Sequence, residues 1–264
     1  MVSIDAHAHV FHRGLTLADE RRYAPDYDAS LDDYLAHLDS AGISHGVLVQ
    51  PSFLGTENGY LLNCVGTSRN RLRGVAVVDP AISDEELRDL DRGGIVGIRL
   101  NLVGRPLPAL AGNHWMRLFA TIANLGWHVE LQRCAADLPE LATRLLESGV
   151  TVVIDHFALP DPLSGIDDPA FAAVLKLGAS GRVWVKLSAP YRNGPHGHAF
   201  ARKAYPLLRD AFGLKRLMWG SDWPHTQFEG SQDYVANRSF LDELIPDAAE
   251  RARVLAAPRA LFRF

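Results

Sequence analysis

Cysteine is nearly absent: Cys64 and Cys134 are the only two in 264 residues and lie far apart. A disulfide framework or a thiolate zinc site is therefore not expected, and a reduced, cytoplasmic setting is. Apolar runs long enough to cross a bilayer are missing, and the chain opens without a basic-then-apolar leader, so neither a membrane partner nor export is expected. Strong charge of either sign is missing too. The formal net charge of −4 leaves no basic footprint for nucleic acid, so an anionic ligand needs local attraction. Nor does a Gly-x-Gly-x-x-Gly follow any strand-like run, which weighs against a dinucleotide-binding open sheet. Linkers, low-complexity tracts and repeats are not seen, and residues 1–264 read as one domain.

What is present is an alternation of short Val- and Ile-rich runs with helical periodicity. Strand-like segments are expected at 2–10, 45–50, 73–78, 95–100, 128–132, 150–156, 182–188 and 216–222. Between them lie helices with recognisable ends: Ser30 before Leu31 with Gly42 behind it, and the Ser83-x-x-Glu86 capping box. Eight such units predict an α/β protein with a parallel sheet, closed most simply as a single (β/α)8 TIM barrel. An open doubly wound sheet is the alternative.

In a barrel, chemistry sits at the C-terminal ends of the strands. Those ends carry His7 and His9, Ser52, Arg99 and Asn101, Gln132, His156, Ser188 and Asp222. In Asp5-Ala6-His7-Ala8-His9, alternation sends Asp5 and both histidines to one face. Histidine is the common choice for proton transfer and metal ligation, and arginine for planar carboxylates. The same alternation puts Glu130 and Lys186 inside, where unpaired charges are costly, so an ionic layer with Asp5 beneath the histidines is expected. Strand seven rotated by one residue would instead leave Lys186 in solvent. Arg99 could equally pair with an interior carboxylate such as Glu130, and Arg105, Arg192 and Tyr191 could be ordinary loop residues. His12, His196, His198 and His225 read as solvated loop histidines.

His7-x-His9, the strand end Val153-Ile154-Asp155-His156-Phe157 and Trp219-Gly220-Ser221-Asp222-Trp223-Pro224 together resemble the amidohydrolase superfamily, in its amidohydrolase-2 branch. The chain looks most like the group of 2-pyrone-4,6-dicarboxylate lactonases and related sugar and muconolactone hydrolases. That resemblance covers nearly the whole chain and implies a hydrolase for a small anionic lactone. It implies His7, His9 and His156 polarising the lactone carbonyl, with Asp222 as base for water. Arg99, Arg105 and Arg192 would hold substrate carboxylates, with Tyr23, Ser52 and Gln132 also at the substrate. Gln132 departs from the group, which carries an aromatic hydroxyl there.

Binuclear members of the superfamily it resembles bridge their metals with a strand-four carboxylated lysine or glutamate, and this strand ends in Ile98-Arg99-Leu100-Asn101, so the resemblance implies no binuclear centre. No cofactor is expected. The alternative is one zinc ion on His7, His9, His156 and Asp222, as in a zinc-dependent hydrolase or decarboxylase of the same branch. A carboxylate-binding barrel without activity is a further alternative, disfavoured because Asp222 would repel its ligand. The oligomeric state is left open.

Overall fold

A computed structural model describes residues 2–264. Eight strands form one sheet in the order of the chain: β1 Ile4–Ala8, β2 His45–Val49, β3 Leu72–Ala76, β4 Ile95–Asn101, β5 His128–Gln132, β6 Thr151–Ile154, β7 Val183–Ser188 and β8 Leu217–Gly220. Each neighbouring pair is parallel. The helices α1 Leu31–Ser40, α2 Gly59–Thr67, α3 Asp84–Arg92, α4 Asn113–Asn124, α5 Leu138–Glu147, α6 Pro169–Lys176, α7 Gly197–Phe212, α8 Tyr234–Leu244 and α9 Ala248–Ala256 complete a (β/α)8 barrel. Local signals set several of their ends. The Ser30 side chain caps α1, and Ser83 with Glu86 forms the expected capping box on α3. Among the described residues, no helix is long and apolar enough to cross a membrane.

The seam between β8 and β1 is sealed by residues just beyond the strands. The His9 N–H donates to the Trp223 carbonyl at 2.7 Å, and the Asp222 N–H to the His7 carbonyl at 2.8 Å. Gly220 allows this approach, because a Cβ there would stand 2.7 Å from the His7 Cβ. Gly97 does the same inside the barrel, where a Cβ would lie 2.5 Å from the His128 ring.

The interior has an apolar floor of Ile4, Ala6, Val47, Val49, Val75, Val96, Val153, Met218 and Phe262. Phe262, from the C-terminal segment, meets the His128 ring edge-on at a centroid distance of 5.3 Å. Above this floor the barrel turns polar and ionic.

One expectation fails here, for a local reason. Asp5 does not face inward with the histidines: its Oδ2 accepts from Tyr234 Oη of α8 at 3.2 Å, and its Oδ1 from the Ser221 N–H at 2.8 Å. A register irregularity between Asp5 and Ala8 breaks the alternation, so Ala6 and His7 both point into the barrel. Burial, against hydrogen bonds from Ser221, His7 and Tyr234, pushes the Asp5 carboxyl up to about 6.

Strands six and eight also stop earlier than their apolar runs suggest, at Ile154 and Gly220. His156 and Asp222 follow with φ of 52° and 59°, in the left-handed region that L-residues avoid at roughly 1–2 kcal/mol each. These turns aim both side chains across the barrel axis instead of along the sheet.

Candidate active site

A cavity of about 190 Å³ opens at the C-terminal ends of the strands. Of the residues expected at a site, His9, Tyr23, Ser52, Arg99, Gln132, Arg192 and Asp222 line it. His7 and His156 are fully buried just behind its wall. Arg105 is not on that wall; it lines a neighbouring cavity of about 370 Å³ and donates from Nη2 to the Glu20 carbonyl at 2.6 Å.

Asp222 is the hub. Its Oδ2 accepts from Tyr191 Oη at 2.6 Å and Arg192 Nε at 2.7 Å. Its Oδ1 has no hydrogen-bond partner and faces the Nε2 atoms of His7, His9 and His156 at 3.6, 3.7 and 3.8 Å. Burial alone would raise this carboxyl, but Arg192 and then the facing imidazoles outweigh it and hold the group well below the usual carboxylate range. Asp222 is thus an anion with one oxygen free.

Hydrogen-bond partners assign the imidazole tautomers. Lys186 Nζ lies 2.9 Å from His7 Nδ1. An ammonium only donates, so Nδ1 accepts and the ring proton sits on Nε2. His9 Nδ1 lies 2.7 Å from the Val49 carbonyl, which only accepts, so His9 carries its proton on Nδ1 and a lone pair on Nε2. The 3.2 Å contact between the two Nε2 atoms then runs from His7 to His9. In this arrangement His9 Nε2 is the acceptor of the pair. His156 shares a 2.9 Å hydrogen bond between Nδ1 and Ser188 Oγ, and its Nε2 is free. Burial lowers His156 to about 4, and burial with the Lys186 charge holds His7 well below its ordinary value, so both are neutral at pH 7.

Beneath the histidines lies a buried ionic layer, with its phase on β7 as expected and a different member. Lys186 Nζ donates to Glu130 Oε1 at 2.6 Å and lies 3.3 Å from Asp155 Oδ1. Asp155, not Asp5, completes the layer. It also takes Arg99, whose Nη2 is 3.2 Å from Asp155 Oδ2 and 2.7 Å from Gln132 Oε1. Asp155 was legible as the residue before His156, but its inward aim depends on how the chain leaves β6.

Among the described residues, two groups of side chains bring possible ligand atoms together: His7, His9 and Asp222, and His7, Asp155 and His156. His7 belongs to both. Ligation through Nε2 needs the ring proton on Nδ1, where the Lys186 ammonium stands at 2.9 Å, donor against donor, and the acceptor Asp155 Oδ1 is farther off at 3.5 Å, so the arrangement favours the proton on Nε2 over a ligand there.

A family model described as "Amidohydrolase" matches residues 4–264. The chain belongs to this amidohydrolase family. Among amidohydrolase relatives, it is 36% identical to a 2-pyrone-4,6-dicarboxylate hydrolase of Comamonas testosteroni, over 96% of this chain and 85% of that one. It is 28% identical to a 4-sulfomuconolactone hydrolase of Rhizobium radiobacter, over 98% and 89%. The crystal structure of a probable 2-pyrone-4,6-dicarboxylic acid hydrolase from Acinetobacter baumannii, with citric acid bound, superposes with a TM-score of 0.96 at 40% identity over all of both chains.

Besides Asp155, sequence reasoning missed Arg22, Thr226 and His225 of this amidohydrolase site. Arg22 and Thr226 line the cavity, and Tyr23 Oη and Thr226 Oγ1 pair at 3.1 Å. His225 is buried, not solvated, with Nδ1 3.1 Å from Tyr191 Oη, and burial lowers it to about 4. Its proximity to Asp222 in sequence was the available signal. His12 and His196 are exposed as expected.

Proposed function

We propose that the chain hydrolyses a small carboxylated lactone of the 2-pyrone-4,6-dicarboxylate kind, without a metal. The observation that carries this reading is the single unbonded oxygen of Asp222, facing three imidazole nitrogens beside an arginine-lined cavity. The names of its amidohydrolase relatives point the same way. A volume of about 190 Å³ is below the range usual for drug-sized ligands and suits a single-ring substrate.

In this mechanism water and substrate replace the hydrogen bond between His7 and His9: the water takes the lone pair on His9 Nε2 and sits against Asp222 Oδ1, and the His7 Nε2–H is freed for the carbonyl oxygen. Asp222 takes one proton as the oxygen attacks the lactone carbonyl carbon. His7 donates from Nε2 to the developing oxyanion, and His156 does so too when the Ser188 hydroxyl donates to its Nδ1. Collapse of the tetrahedral intermediate breaks the bond from the carbonyl carbon to the ring oxygen, which leaves as an enol carrying the proton from Asp222. Lys186, by fixing the His7 tautomer, makes His7 a donor before substrate arrives. Tyr191 and Arg192 hold the other Asp222 oxygen and so fix the direction of the free one.

Exhaustive chelation is the decisive test. Verifiably metal-free protein is expected to retain hydrolysis of carboxylated lactones and to turn over a neutral lactone poorly. Activity lost on metal removal and restored by one equivalent of zinc would overturn the metal-free reading and make His7, His9, His156 and Asp222 ligands.

The charge states also predict a pH profile. Asp222 is depressed below its ordinary value and His156 to about 4, so the pair keeps its anionic and neutral forms as pH falls through 6.5. For both groups the sign is that of a lowered folded-state value: the working form is present at neutral pH and is lost only on strong acidification. Neither group is expected to contribute an acid limb to kcat/KM between about pH 8 and about 5. An acid limb centred near 6.5 that survives His9→Gln would show His156 or Asp222 titrating there and count against this assignment.

A further inference from the structure

Five guanidinium groups surround the cavity and its neighbour: Arg22, Arg99 and Arg192 line the first, and Arg21 and Arg105, with Arg22 again, the second. They are not equally available. Each buried carboxylate of the network has its own cation: Asp222 has Arg192 at 2.7 Å, Asp155 has Arg99 at 3.2 Å, and Glu130 has Lys186 at 2.6 Å. Arg99 uses Nε and Nη2 on Asp155 and Gln132, and Arg192 uses Nε on Asp222 and Nη2 on the Thr226 carbonyl. Neither offers a ligand its whole fork.

Arg22 differs. It lines the cavity, yet its side chain makes one neutral hydrogen bond, from Nη2 to Asn101 Oδ1 at 3.3 Å, and among the described residues no carboxylate pairs with it. With Ser52 and Asn101 it lines both cavities and so stands at their junction. Desolvation and, against the pull of Tyr23, the Arg99, Arg105 and Arg192 charges lower its proton affinity, a crowding of like charge that an anion relieves.

We propose that Arg22 is a specificity-determining residue that holds one carboxylate of the substrate through its paired N–H groups, at the junction of the two cavities. This rests on the lactone reading above and extends it: the surplus cation on the wall selects for a substrate carrying a second carboxylate, beyond whatever Arg99 and Arg192 can bind with their remaining donors.

The test compares 2-pyrone-4,6-dicarboxylate with 2-pyrone-4-carboxylate and 2-pyrone-6-carboxylate, using inhibition constants where turnover is too slow. Arg22→Gln is expected to lower kcat/KM for the dicarboxylate about 10- to 100-fold, mainly through KM, because the carboxylate is not the reacting group. One monocarboxylate should suffer the same loss and the other less than about threefold, since only one still reaches Arg22. Arg22→Lys, which keeps the charge and loses the fork, should recover part of the loss. Equal losses on all three compounds, or none, overturn the assignment while wild-type hydrolysis leaves the lactone reading standing. Wild-type protein inert toward all three overturns that reading and the role of Arg22 with it.

Discussion

Asp222→Asn is expected to lower kcat at least ~100-fold while substrate still binds, the usual scale for removing a positioned general base. The amide keeps the shape of the side chain but loses the charge, and its free oxygen can no longer take a proton from water. Arg192 gives the result a second signature. In the wild type its Nε is held by Asp222 at 2.7 Å. With the anion gone, the guanidinium is released to a substrate carboxylate, so KM should stay level or fall while kcat collapses. Steady-state kinetics alongside equilibrium binding of the intact lactone measure both. A kcat within tenfold of wild type would remove Asp222 from the role of base, and loss of binding would make it structural.

Lys186→Met is expected to destabilise the fold by about 3–5 kcal/mol, because it strips the cation from a buried ionic layer. Glu130 would be left with His128 Nε2 at 3.3 Å as its remaining neighbour of opposite potential charge, and its Oε2 already has no partner. Asp155 would keep Arg99. Denaturant unfolding reads the loss, and an unchanged midpoint would show that the layer contributes little. The double variant Lys186→Met with Glu130→Gln separates two roles. Removing both charges should return most of the stability, whereas the His7 tautomer stays unlocked and activity stays low. Full recovery of activity in the double variant would show that Lys186 does not set His7.

The barrel was legible in the sequence because a parallel sheet buried on both faces needs apolar strands, and helices announce their caps. Strand-end polarity was equally plain, since Gln132, Ser188 and Arg99 interrupt apolar runs. Asp5 was misplaced because alternation is a rule for regular strands, and the irregularity between Asp5 and Ala8 has no sequence mark: alanine fits either face. Asp155 was passed over because its partners, Arg99 and Lys186, come from strands distant in the chain. Arg22 sits on a long loop where a charged residue is ordinary, and only the folded arrangement reveals that, of the three arginines lining the cavity beside Asp222, it alone makes no ion pair among the described residues.

The seam between β8 and β1 has a consequence for when the protein becomes active. The backbone groups that seal it belong to His7, His9, Asp222 and Trp223, so closing the barrel and assembling the base with its imidazoles are one event. During synthesis the histidines emerge early and the aspartate late, and every earlier strand can pair with its predecessor before either meets the other. A chain that has not reached Asp222 has neither the base nor the seam, so hydrolysis would report the completion of folding rather than its progress.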